Sequence, residues 1–382
     1  MNIYNIRCES NKMKKPILNE LLILIAFLML PNLVFAAPYL SSYSGTASDG
    51  NSLILSGTDF GANTAVGTAA LEFLGGKNGP IETGTTGAGF SRSRWDVMRD
   101  WDGDIVYSTN HVLFGSKILQ MQGGGTWPEV PLTYNFPTPV TSSDHIFVSW
   151  WERVTWAGNG QYKIIRFSPT ETVIDGNGQT CMFFHNNDGG LTFGPYEYPN
   201  DGTLYPDFSP ATPQSIWERF DIDITTSSNT SGAVTFTKYI PGQSVETEKY
   251  SSYHTHYSGL NWNYIVWQNY FGTDGSGSMT AGDVWFDDIF VQHGSPARVE
   301  LCDNAAWANR QQCIVQYPTS WPSSSSVTIT LNAGNFASGT TRYLFLIDST
   351  GAISNSIPVI IGSGDSSPPA APTGLTIVEN KK

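Results

Sequence analysis

DHIFVSWWERVTW, residues Asp144 to Trp156, alternates with a period of two. Ile146, Val148 and Trp150 fall on one side, and Phe147, Ser149, Trp151 and Arg153 fall on the other. Period two marks a strand, because successive side chains leave a pleated backbone on opposite faces. One face can meet a core. The other carries a flat indole beside a guanidinium, which suits packing against a second sheet or stacking against a sugar ring. The use of that second face bears on both the fold and the ligand.

Working outward, similar short runs recur, separated by Gly, Pro, Asn, Asp and Ser. SLILSG, HVLFGSKILQMQ, YKIIRFS, CMFFHN, RFDIDITT, GAVTFTKYI, WNYIVWQNYF and VWFDDIFVQ all read as strands. AVGTAALEFLGG and PQSIWERFDI are the two mild helix candidates. About nine strands before residue 293 suit a two-sheet sandwich. From Ala297 onward ARVELCD, QCIVQYP, SVTITLNAGNF, TRYLFLIDSTG and IPVIIG form a compact second set, of a size that fits a small immunoglobulin-like sandwich. The expected fold is all-β: a two-sheet jelly-roll sandwich followed by a small Ig-like β-sandwich.

The N-terminus reads as a targeting segment rather than structure. Lys14 and Lys15 precede an apolar run, Leu21 to Leu30, and Val34-Phe35-Ala36 leads into Ala37. The run is shorter than the roughly 20 residues of a membrane span, so the mature chain is expected to carry none. Met13 would serve as a start of its own. A secreted or cell-surface location follows, with residues 1–36 as signal peptide. Charged residues make up 14% of the chain, against about 25% in ordinary globular proteins. The formal net charge is −13; residues 1–36 hold four basic and two acidic side chains, so the remainder stands at −15. An acidic surface repels phosphate backbones, and nucleic acid is not an expected partner. Polyanionic glycans are disfavoured too, unless a local basic pocket overrides the global field.

Cys302 and Cys313 flank DNAAWANRQQ at a spacing a hairpin could bridge, and in an oxidising compartment they are expected to form a disulfide. Cys181, among apolar neighbours, reads as a buried small hydrophobe.

Three stretches resemble known families. Pro38 to Gly61, with its Gly57-Thr58-Asp59-Phe60-Gly61 turn after a strand, resembles the opening of an IPT/TIG domain. FVSWWERV, YKIIRFSP and VWFDDIFV are similar to segments of concanavalin A-like lectin/glucanase jelly rolls, and PPAAPTGLTIV resembles the start of a fibronectin type III domain. The implied organisation is a signal peptide at 1–36, IPT/TIG-like strands at 37–75 and a jelly roll at 76–296. An Ig-like sandwich at 297–362 and a Pro/Ser-rich linker with a truncated strand at 363–382 complete it. The jelly-roll resemblance implies lectins, hydrolases and lyases alike, so architecture alone fixes no chemistry.

Catalytic constellations do not emerge. Glycosidases of this fold supply Glu-x-Asp-x-Glu from one strand, whereas GDVWFDDIF offers Asp283, Asp287 and Asp288 without such a glutamate. The lyase strand Arg-Ser/Thr-Glu-Leu is approximated by SRSRWDV, with Arg94 where glutamate belongs. Arg92, Arg94, His185, His254, His256, Tyr257 and Gln268 supply suitable residue types without the order. Catalytic residues are therefore unknown. Asp283 and Asp287 share a strand face and are the candidate metal ligands; structural Ca²⁺ would suit these Asp- and Gly-rich loops.

The chain holds 12 Trp, 17 Tyr and 20 Phe, more aromatic area than one or two cores require. Trp150 and Trp267 read as core. Trp151, Arg153, Arg166, His185, Tyr196, Tyr198, Trp262 and Gln268 are the candidate ligand contacts, since flat rings beside polar donors bind sugars. The expectation is a secreted carbohydrate-binding module for a glycan or wall polysaccharide. The alternatives are a divergent polysaccharide lyase or glycoside hydrolase, and a structural cell-surface or matrix protein.

Overall fold

A computed structural model describes residues 36–97, 105–122, 132–155, 157–158, 161–169, 181–185, 191–195, 204, 206–208, 214–256, 259, 261–272, 279–280 and 282–362. The strands in chain order begin with β1 (Tyr39–Ser44), β2 (Ser52–Thr58), β3 (Leu71–Phe73), β4 (Trp95–Val97), β5 (Ile105–Ser108) and β6 (Ile118–Met121). β7 (Leu132–Val140), β8 (His145–Val154), β9 (Ala157–Gly158), β10 (Gln161–Ser168), β11 (Cys181–His185) and β12 (Leu191–Pro195) follow. Next come β13 (Glu218–Thr225), β14 (Gly232–Tyr239), β15 (Glu246–Tyr253), β16 (Trp262–Gly272), β17 (Met279–Thr280) and β18 (Val284–His293). The last are β19 (Arg298–Cys302), β20 (Cys313–Ser323), β21 (Ser326–Thr330), β22 (Thr341–Ile347) and β23 (Ile357–Ile360). One helical turn, α1 (Pro80–Thr83), begins on a proline, whose missing N–H costs nothing at that position. Neither mild helix candidate is helical: Leu71–Phe73 is β3, and Glu218–Thr225 is β13. No helix among the described residues is long and apolar enough to cross a membrane.

β8, the opening stretch, is a central strand paired with β13 on one side and β18 on the other. Ile146, Val148 and Trp150 point into the jelly-roll core, between the sheet β15-β14-β13-β8-β18-β6-β5 and the sheet β12-β11-β10-β16-β7-β4. There the Trp150 ring lies 5.7 Å from Phe220 and 6.2 Å, edge-on, from Trp267. The other face of β8 is buried as well. Phe147 meets Phe290 and Val315, and Trp151 joins a second core with Phe114, Tyr239 and the apolar side chains of a third sheet. The second face of the strand is a packing face.

That third sheet runs β1-β2-β21-β20-β19-β22-β23. The N-terminal strands thus share one sheet with the C-terminal ones, and residues 37–75 and 297–362 build a common core from Leu53, Leu55, Phe60, Leu301, Ile329 and Leu344. β20 shifts register between Pro318 and Ser320 and again before Ser323, pairing first with β19 and then with β21. The Asn355 side chain substitutes for a strand partner: it accepts from Leu40 N–H at 2.8 Å and donates to Leu40 C=O at 2.9 Å. Gly57 is required by close approach, because a Cβ there would lie 1.9 Å from Tyr39 O and 2.6 Å from the buried Phe60 ring. Cys302 and Cys313, cross-strand partners on β19 and β20, form the expected disulfide.

Charge fixes the orientation of the third sheet. Arg219 on β13, fully buried, donates to both Asp221 oxygens at 2.7 and 2.8 Å, and to Cys313 O at 2.8 Å. Glu300 accepts from Arg298 at 2.6 Å and from Arg219 at 3.4 Å. Apolar contact alone would let the layers slide. A buried guanidinium satisfied from both layers holds one register, since a slip would strand its charge.

Candidate functional site

β10 alternates Ile165 and Phe167, which point into the jelly-roll core, with Arg166 and Ser168, which lie on the opposite face of the six-stranded sheet. Strand register extends this far face into two rows. Thr133, Val266 and Arg166 form one; Asn135, Tyr264 and Ser168 form the next. The face is polar yet recessed: Thr133 is 2% and Arg166 is 8% exposed. Thr133 Oγ1, buried, has no hydrogen-bond partner among the described residues. A guanidinium and an unpaired hydroxyl on a sheltered face suit a ligand rich in oxygen acceptors and donors.

The sequence-selected residues fall in different places. Arg166 lies at the centre of this face. Trp151 does not reach it: it is 1% exposed, edge-on to Phe114 at 5.5 Å, and so serves as a core residue beneath the third sheet rather than a sugar platform. Arg153 goes with it, its guanidinium 5.0 Å from the Trp285 ring on the same side of β8. Trp262 is also core, 1% exposed, 5.2 Å from Phe167 and 4.7 Å from His256. His185 and Gln268 belong to β11 and β16, which build the sheet, but their side chains lie outside the described residues, as do Tyr196 and Tyr198. Arg92, from the lyase inventory, is paired with Glu72 at 3.3 Å.

Both expected metal ligands already accept hydrogen bonds from the protein. Asp283 accepts from Gln120 Nε2 at 2.9 Å, whereas Asp287 accepts from the backbone N–H of Phe114 at 3.0 Å and of Asp288 at 2.8 Å. Burial, then the neighbouring Asp288, push the Asp287 carboxyl well above its ordinary range. Glu300, Cys302 and Cys313 also converge, but the sulfurs are bonded to each other and Glu300 to two arginines.

A second polar group lies inside the jelly roll. Glu152 and Glu218, directly opposite on β8 and β13, are fully buried, with Lys238 Nζ 3.3 Å from Glu218. Trp150 Nε1 donates to Glu152 at 2.8 Å. Burial pushes the Glu152 acid up to about 7 and raises that of Glu218 well above its ordinary range. Two carboxyls this close resemble a glycosidase pair in type, but with no exposure they offer a saccharide no approach.

Thr133 and Asn135 escaped the sequence reading because Pro137 and Pro139 break up their strand. Leu132, Tyr134 and Phe136, alternating with them, were the available signal.

No family model matches the chain, and no curated protein matches it. Among solved structures it is similar to an endo-β-1,4-glucuronan lyase from Trichoderma reesei at 18% identity, covering 53% of this chain and 95% of that one, with a TM-score of 0.35. An alginate lyase from Aplysia kurodai matches at 13% identity over 49% and 86%, TM-score 0.38. Peanut lectin matches at 9% over 55% and 97%, TM-score 0.30. At these scores none of the three fixes an activity here.

Proposed function

We propose that this is a secreted carbohydrate-binding protein, exported by the signal peptide at 1–36, in which the far face of the six-stranded sheet holds a glycan. The observation that carries the reading is Arg166, recessed to 8% exposure on a polar face two strands across from Thr133, whose buried hydroxyl has no partner among the described residues. A sugar hydroxyl would satisfy Thr133, ring and hydroxyl oxygens would accept from the Arg166 guanidinium, and shelter from water strengthens each bond. The third layer, which β1 and β2 share with the C-terminal strands, backs the eight-stranded sheet through Trp151, Phe114 and Tyr239. A lyase is the second reading, because a sheltered guanidinium can also neutralise a uronate carboxylate.

A glycan array on the chain from Ala37 onward tests this, followed by titration of each hit. Arg166→Gln should weaken a hit by about tenfold, the scale of one charge-assisted hydrogen-bond pair. Retained affinity in that variant, or an array without signal, would exclude this face. Growth of ultraviolet absorbance from an unsaturated product would select the lyase.

A further inference from the structure

A cleft of about 460 Å³ opens on the side of the eight-stranded sheet away from the jelly-roll core, where β13, β14 and β15 meet the third layer. Its size lies within the range of small-molecule sites, about 300–1,000 Å³. None of the sequence-selected residues lines it. One wall is a cross-strand row, Asp223, Thr235 and Lys249, flanked by further threonines. The other is Trp307 and Arg310, from the segment between the two disulfide cysteines.

Arg310 sets the chemistry. It is 8% exposed, its guanidinium 3.8 Å from the Trp307 ring centroid and 5.6 Å from that of Tyr239. Nη1 donates to Trp307 O at 2.6 Å and Nε to the Tyr239 hydroxyl at 3.4 Å. Arg219 and Arg298 each hold a carboxylate, but no carboxylate lies within ion-pair distance of Arg310 among the described residues. It is a cation fixed in place with its charge unmatched at close range. The one acid of the facing row, Asp223, is engaged by His145 at 2.7 Å. Lys249 adds a second positive charge. A chain of net charge −13 thus carries a local basic cleft walled with hydroxyls.

We infer that this cleft between β13–β15 and the Trp307–Arg310 segment is a second binding site, for an acidic saccharide whose carboxylate meets Arg310. Threonine hydroxyls match sugar hydroxyls, and a stacked, pre-oriented guanidinium matches a planar carboxylate. The site is independent of the sheet face around Arg166.

The probe is trigalacturonic acid, titrated calorimetrically into the chain from Ala37 onward, with its methyl ester, inorganic phosphate and an acidic peptide as comparisons. Arg310→Gln should weaken trigalacturonate by about tenfold or more, and the exposed Lys249→Gln by about two- to threefold, more at low salt than at high. The neutral ester should bind the wild type as weakly as the acid binds Arg310→Gln. Lys77→Gln, which removes the same charge from a remote loop, should change nothing. Because Lys249 is exposed, its variant remains informative even where Arg310→Gln melts early. Undiminished affinity in both cleft variants, or equal binding of ester and acid, would overturn the proposal. Binding of phosphate or peptide as tight as trigalacturonate would likewise replace the saccharide with an unselective anion site.

Discussion

Glu152 concentrates the physics of single residues in this protein. It lies opposite Glu218 in the buried core, and burial lifts its acid from an ordinary 4.5 to about 7. Between those values the folded chain keeps a proton that the unfolded chain releases. Stability therefore falls as pH rises through the window, by about 1.4 kcal/mol per pH unit for such a group. Below the window both states hold the proton, and above it neither does, so the contribution is flat. Glutamine keeps the shape and the acceptor for Trp150 but does not titrate. Glu152→Gln should flatten the melting temperature between pH 4.5 and 7 relative to wild type, with Glu218 retaining part of the slope. Parallel profiles for the two proteins would mean that Glu152 ionises normally.

Strand β8 shows what alternation conveys and what it leaves out. Period two correctly divides Trp150 from Trp151, but it cannot say what lies beyond each face. Phe147 and Trp151 share a side with Ser149 and Arg153, a mixture that reads equally as ligand surface or as packing. Ser149 is buried because its hydroxyl accepts from Arg219 at 2.9 Å, a partner 70 residues away. Most of the strands were legible for the same reason that β8 was, whereas β7 was hidden by its prolines and β15 by its charge. Of the candidate site, only Arg166 was selected from sequence; its row-mates depend on which strands pair. Since both faces of β8 are packed, Trp150→Ala and Trp151→Ala should each cost about 3–5 kcal/mol in denaturant unfolding. A Trp151 variant that melts like the wild type while losing glycan would restore the platform reading and displace the packing one.

At the scale of the whole molecule, the jelly roll and the seven-stranded sheet are one body, joined by an apolar core and by the Arg219–Glu300 network. A chain ended at Pro296 would leave Phe114, Trp151 and Tyr239 facing water and β2 without β21. It should bind hydrophobic dyes and lose the sharp near-ultraviolet signature of packed tryptophan. A soluble, cooperatively melting fragment would instead mark the jelly roll as self-sufficient. The clasp of Asn355 on Leu40, 315 residues apart, also sets a schedule. A ribosome delivers Asn355 only after more than three hundred residues beyond Leu40. Throughout that interval β1 and β2 have each other but neither β21 nor the clasp. Closing so long a loop adds little to its entropic cost, because that cost grows only with the logarithm of length. It does delay the search, since distant pairings form slowly. Until then β1 and β2 lack their later partners, and the clasp is a late event, made when the segment around Asn355 reaches back to Leu40.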